Sequence, residues 1–179
     1  LKEGWQSNFV DVNGVRLHCV EAGNPDGKLV VLLHGFPEFW YSWRYQIDAL
    51  VEAGYHVLAP DQRGYNLSEK PKRVADYGLT HLAEDIVALI AAHGREKAYI
   101  VGHDWGGVVA WWLAAAYPES VEKCTVLNVA HPSVYKRFVK TNKKQRKRGW
   151  YVFFFQLPWI PERRMRKDNW NVGIRALRN

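Results

Sequence analysis

Ala98-Tyr99-Ile100-Val101-Gly102-His103-Asp104-Trp105-Gly106-Gly107-Val108 is the stretch whose reading decides the fold. Ala98 to Val101 is a short apolar run rich in strand formers, expected as a buried strand. Gly102 to Gly107 is expected as a tight turn, and Val108 to Tyr117 as an apolar helix halted at Pro118. A strand, a glycine-rich turn and a helix with one reactive side chain at the apex have the form of a nucleophile elbow, G-x-S-x-G, with aspartate in the serine position. The small residues allow a strained turn that lifts Asp104 toward a substrate at the helix N-terminus. A phosphate loop is the competing reading, but neither G-x-G-x-x-G nor a Gly-Lys-Ser/Thr ending is present.

Outward from the elbow, strand and helix patterns alternate. Phe9 to Glu21 reads as two alternating strands joined at Asn13-Gly14, a hairpin dipeptide. Leu29 to Leu33 is a continuous apolar strand followed by the loop His34-Gly35-Phe36-Pro37. A helix is expected from Ser42 to Ala53, with Trp43, Ile47, Leu50 and Val51 on one face and Gly54 as its cap. Tyr55 to Ala59 is the next strand. A long polar loop then leads to Thr80, the expected N-cap of a helix from Leu82 to His93 closed by Gly94. Cys124 to Val129 is read as a sixth, buried strand. This alternation predicts an α/β fold with a mostly parallel sheet, opened by a β-hairpin, with helices on both faces and ligands bound outside the carboxyl ends of the strands. From Tyr135 the texture shifts to a basic, helix-like segment and an aromatic run, Trp150 to Phe155. The expected division is therefore a core over residues 1–134 and a small helical unit over 135–179.

With 47% hydrophobic residues the chain has enough apolar material for a real core. No stretch reaches the roughly 20 apolar residues of a membrane-spanning helix, and the N-terminus lacks a signal-peptide pattern. A soluble, cytoplasmic protein without membrane association is expected. The two cysteines, Cys19 and Cys124, lie in apolar stretches and read as reduced core thiols. Metal-ligand spacing is absent, so neither metal nor cofactor is expected. The net charge of +7 is concentrated between Lys136 and Arg148 and again at Arg163 to Lys167; without recognition motifs it reads as a solvated face rather than a nucleic-acid site.

The chemistry follows from the aspartate. A carboxylate is a competent nucleophile toward an sp3 carbon bearing a strained oxygen or a halide, and it forms an ester that water can cleave later. The loop after the central strand places the Phe36 amide near the elbow, where with the Trp105 amide it is expected to form an oxyanion hole. His34, Pro37, Trp40 and His103 flank the site as its expected substrate-side wall. Asp61 and Arg63 are expected to organise their loop through charge-assisted hydrogen bonds.

His34-Gly35-Phe36-Pro37-Glu38 with Trp40, Ser42, Trp43 and Arg44, then Asp61-Gln62-Arg63-Gly64-Tyr65, then the elbow itself, resemble the motif series of the α/β-hydrolase-fold epoxide hydrolases over nearly the whole chain. Haloalkane dehalogenases share the aspartate and the following tryptophan; fluoroacetate dehalogenases usually carry arginine at the position of Trp105. The segment Phe36-Pro37-Glu38 favours the epoxide hydrolases. The resemblance implies a small-molecule epoxide substrate and a covalent ester on Asp104. It implies supporting roles for His34 and His103, a left-handed residue at Asn66, where the family more often has glycine, and a helical cap in which Tyr151 protonates the departing epoxide oxygen. As an apolar lining, Phe36, Trp40, Trp105 and Tyr151 would suit aryl or alkyl epoxides.

The resemblance also implies an acid, a histidine and a second cap tyrosine that cannot be placed before Asn179. The α/β-hydrolase fold is therefore expected to stop after about six strands, inside the cap, and the chain alone is expected to alkylate without turnover. Pairing with a complementary C-terminal fragment or a second copy is expected from an uncovered sheet edge. A non-catalytic half-fold scaffold is the reading from a different class.

Overall fold

A computed structural model describes residues 1–167, 169–171 and 174. The chain divides into two compact units, Leu1–His131 and Pro132–Asn179.

The first unit carries a six-stranded sheet of order β1-β2-β4-β3-β5-β6. Strands β1 (Trp5–Val12) and β2 (Val15–Gly23) form the antiparallel hairpin. Asn13 and Gly14 make its turn at φ 45° and 75°, as the I′ geometry requires. Strand β2 pairs antiparallel with β4 (His56–Pro60), and from β4 onward the sheet is parallel through β3 (Leu29–Leu33), β5 (Ala98–His103) and β6 (Val121–Leu127).

Strand β3 is buried along its whole length because helices cover both faces. Val31 and Leu33 join Leu58, Ile86, Leu89, Ile100, Val109 and Leu113 in one core, under α2 (Leu79–Ala92) and α3 (Trp105–Ala116). Val30 and Leu32 point the other way, to Val57, Ala59, Trp43 and Ile47, under α1 (Arg44–Glu52). This period of two turns one apolar pentapeptide into the wall of both cores, with each buried aliphatic side chain contributing about 1.5–3 kcal/mol.

Several boundaries differ from expectation. The helix read from Ser42 begins as a 3-10 turn, Trp40–Trp43, before α1. Thr80 is not a cap: α2 starts at Leu79 from an extended Gly78, so Thr80 lies inside the first turn. Strand β6 runs from Val121 to Leu127 rather than from Cys124 to Val129, because a 3-10 turn at Pro118–Ser120 delivers the chain directly into it. Nor is β6 buried. It is the last strand of the sheet, with Glu122, Lys123 and Thr125 exposed and Cys124 only partly covered. Cys19 is fully buried, its thiol pushed well above the usual range by desolvation, and both cysteines are free.

The second unit is helical: α4 (Pro132–Thr141), α5 (Lys143–Arg148), α6 (Trp150–Phe154) and α7 (Ile160–Arg166). Asn142 caps α5 by accepting from the Gln145 amide at 3.0 Å. The basic side chains of α5 are solvent-exposed. Among the described residues no helix is long and apolar enough to cross a membrane.

Candidate active site

The register of the sheet brings the two motif loops together. Leu33 at the end of β3 pairs with Gly102 of β5, so the chain leaving β3 at His34-Gly35-Phe36 emerges beside His103-Asp104. Both loops lie at the carboxyl ends of parallel strands, where an open α/β sheet offers a crevice.

Asp104 sits between β5 and α3 at φ 51°, ψ −121°, a conformation that costs a non-glycine residue on the order of 1–3 kcal/mol. Its neighbours show how the sharp turn is accommodated. A Cβ on Gly106 would collide with the carbonyl oxygen of Leu33 and stand 2.6 Å from that of His34. A Cβ on Gly35 would strike the Asp104 side chain, 2.6 Å from Oδ1. Gly106 therefore leaves room for the backbone of Leu33 and His34, and Gly35 leaves room for the Asp104 side chain.

The Asp104 carboxylate does not cap its own helix. Instead Oδ1 accepts the Phe36 amide at 3.0 Å, across from β3, while the Asp104 carbonyl takes the amides of Gly107 and Val108 at 2.9 and 3.2 Å. One carboxylate oxygen is thus held by the amide expected to serve the oxyanion hole. Trp105 opens α3 in the same turn, itself 51% exposed, at a helix end whose first amides lack intrahelical partners.

The flanking residues divide into several roles. His34 has no exposed surface; Nδ1 lies 3.0 Å from the Gly35 carbonyl, and Nε2 accepts the Gln62 amide at 3.0 Å. Burial lowers its pKa, which keeps the ring neutral. Its expected place on a substrate-facing wall is corrected accordingly: the ring fastens the β3 loop to the β4 loop and has no surface to offer a ligand. Trp40 is also corrected. Its amide donates to Asp61 Oδ1 at 3.0 Å, but its ring packs edge-on against Trp5 and Tyr41 and lines a groove of about 520 Å3 with Trp5, Tyr41, Arg44 and Tyr45, in which Asp104 has no part. Pro37 is exposed and follows a cis peptide bond. His103 is partly exposed, with Nδ1 3.5 Å from Glu38 Oε2 and Nε2 3.3 Å from the Asn128 amide nitrogen. His131 packs edge-on against Trp111, 5.0 Å between ring centres.

Asp61 and Arg63 hold the loop after β4. Asp61 is fully buried and takes Trp40, Asn66 and His18 on its two oxygens. Arg63 forks onto Asp85 of α2 at 2.8 and 2.6 Å and also reaches the carbonyls of Asp76 and Asn13. Asn66 adopts φ 38°.

Tyr65 received no separate role from sequence. Its ring meets His34 edge-on at 4.8 Å, and burial, followed by the negative charge of Asp104, pushes its phenol up to about 12. A neutral hydroxyl group therefore lies within the field of the Asp104 carboxylate. The available signal was its position at the carboxyl end of β4, directly after the Arg63-Gly64 pair. Tyr151 lies on α6 of the second unit and is half exposed. Among the described residues no cluster of His, Cys, Asp and Glu is placed to hold a metal ion.

Residues 28–163 match the family described as alpha/beta hydrolase fold. The chain belongs to that family. The α/β hydrolase is 48% identical over 175 residues to the AB hydrolase superfamily protein YfhM of Bacillus subtilis, covering 98% of this chain and 61% of that protein. It is 45% identical over 160 residues to Epoxide hydrolase 1 of Caenorhabditis elegans, covering 89% of this chain and 39% of the relative. A crystal structure of a variant epoxide hydrolase from Bacillus megaterium, complexed with its naphthyloxy-propanediol product, superposes with a TM-score of 0.87 at 40% identity, covering 95% of this chain and 58% of that one. This α/β hydrolase thus spans about half the length of the relatives it matches.

Proposed function

We propose that this α/β hydrolase carries the nucleophilic half of an epoxide hydrolase, with Asp104 as the attacking group. The observation that carries the reading is the Asp104 carboxylate, raised on a strained elbow and held at one oxygen by the Phe36 amide. The other oxygen attacks an epoxide carbon, the C–O bond of the ring breaks, and the alkoxide takes a proton from a phenol. Tyr151 fills that role by resemblance. The product is a 2-hydroxyalkyl ester of Asp104. When water later attacks the ester carbonyl, the developing oxyanion lies where the Phe36 and Trp105 amides can receive it.

An aryl-bearing substrate is supported by the exposed Phe36 and Trp105 beside the nucleophile and by the naphthyl ether diol in the Bacillus megaterium enzyme. Activating the water calls for a histidine with an acidic partner. His34 and His103 are engaged elsewhere, and the resemblance puts that pair on later strands. The step that residues 1–179 themselves support is the alkylation of Asp104.

The test is intact mass after incubation with styrene oxide and, separately, a 1-haloalkane. Epoxide hydrolase chemistry predicts a single added styrene oxide mass in the first sample, formed more slowly by Tyr151→Phe, and no change in the second. Halide release with an alkyl adduct only in the second would assign a dehalogenase instead.

A further inference from the structure

The geometry points to a second nucleophilic centre, independent of Asp104: Ser7, His18 and Asp61 form a serine–histidine–aspartate relay that makes Ser7 a site of covalent modification by activated aryl esters and phosphonyl esters. Ser7 Oγ lies 2.8 Å from His18 Nε2, and His18 Nδ1 lies 2.7 Å from Asp61 Oδ2. The histidine is 2% exposed and the aspartate fully buried, while Ser7 faces solvent. A nucleophile on a base that is itself oriented by a carboxylate is recognised by geometry and role rather than by order in the chain.

The proton positions follow from valence. The Asp61 carboxylate can only accept, and it already receives the Trp40 amide at 3.0 Å on Oδ1 and the Asn66 side-chain amide at 2.8 Å on Oδ2. The hydrogen between His18 and Asp61 therefore sits on Nδ1. In a neutral imidazole this leaves the lone pair on Nε2, and the Ser7 hydroxyl must donate to it. The orientation is also fixed from behind: the His18 amide donates to Ser68 Oγ at 2.9 Å, and Ser68 donates to the Asp61 carbonyl at 2.6 Å.

The step balances without a further reagent. Ser7 Oγ forms a bond to the acyl carbon or phosphorus while its proton passes to His18 Nε2. The bond to the leaving group then breaks, and the leaving group departs with that proton, leaving an ester on Ser7. Ser7 stands mid-strand in β1, without the helix-end amides that flank Asp104. The electrophile must therefore supply its own activation, which selects aryl esters and fluorophosphonates over ordinary esters. Phe9, 47% exposed and 5.4 Å from the His18 ring, with the Arg16 guanidinium 4.6 Å above it, gives an aryl leaving group a face to rest on.

The protein is treated with an alkyl fluorophosphonate and the adduct is located by peptide mapping. The expected result is one phosphonyl group on Ser7, added at least tenfold faster in the folded protein than in guanidinium, retained in Asp104→Asn and lost in Ser7→Ala. Because Ser7 is exposed, its removal leaves the fold intact, which thermal unfolding of the variant checks. Absence of label on Ser7, or equal rates in folded and unfolded protein, would overturn the proposal and leave Ser7 as a hydrogen bond that merely steadies the hairpin.

Discussion

Removing Arg63 should destabilise the protein far more than its single charge suggests. Its guanidinium holds both oxygens of Asp85 at 2.8 and 2.6 Å and two carbonyls besides, with the two side chains 5% and 2% exposed. In Arg63→Ala the Asp85 carboxylate stays buried with the Asn13 side chain, at 2.9 Å, as its described donor. Breaking such a pair from one side costs about 3–5 kcal/mol, because the survivor has lost both water and partner. For a protein of this size, at about 2–4 °C per kcal/mol, the melting temperature should fall by roughly 6–20 °C. Differential scanning calorimetry on Arg63→Ala, Asp85→Ala and the double variant Arg63→Met/Asp85→Leu closes a cycle. The double variant should recover most of the loss, since an apolar pair strands no charge. Single-variant costs below about 1 kcal/mol, or a double variant at the sum of the singles, would refute the claim that this pair pins the hairpin, the β4 loop and α2 together.

Three further outcomes follow from the same geometry. Gly106→Ala places a methyl against the carbonyls of Leu33 and His34 and should cost about 1–3 kcal/mol or more by overpacking; Gly78→Ala, whose Cβ would meet its nearest atom at 3.7 Å, should stay within about 0.5 kcal/mol in the same urea titration. Tyr65 titrates near 12 when folded, above its unfolded value near 10, so its contribution is present below pH 10 and is lost as pH rises to 12. The alkaline limb of the stability curve should therefore be shallower in Tyr65→Phe, by on the order of 2–3 kcal/mol across that range; coincident limbs in pH-dependent urea unfolding would contradict the assignment. His34, lowered by burial, contributes stability above its unfolded pKa that is lost as pH falls below it, so replacing His34 with a neutral glutamine should flatten the acid limb near pH 6 and below.

What sequence reasoning could read, and what it could not, has a physical pattern. The apolar run at β3 and the Asn13-Gly14 turn carry their structure locally, in side-chain period and backbone freedom, and each is found where the pattern put it; the glycine-framed elbow is tighter than the turn read over Gly102 to Gly107, because β5 runs on to His103 and α3 begins at Trp105 rather than Val108. The Phe36 amide could be placed beside Asp104 because parallel register between neighbouring strands leaves their loops little choice. Thr80 and Cys124 misled for complementary reasons. A capping residue competes with whatever extended residue precedes the helix, here Gly78, and an apolar strand reads the same whether one neighbour or two will cover it. Trp40 and Tyr65 were beyond pattern altogether. Which way the Trp40 ring turns depends on Trp5, thirty-five positions away, and the closeness of Tyr65 to Asp104 depends on how the β4 loop folds over His34.

The central claim is that Asp104 is the nucleophile, and the location of the bound epoxide tests it most directly. The protein is incubated with styrene oxide, digested, and its peptides sequenced by mass spectrometry, beside an Asp104→Ala control. The account predicts one 2-hydroxy-phenylethyl ester, on Asp104, absent from the control and cleaved by mild base. Modification confined to other side chains, or equal in wild type and Asp104→Ala, would contradict it.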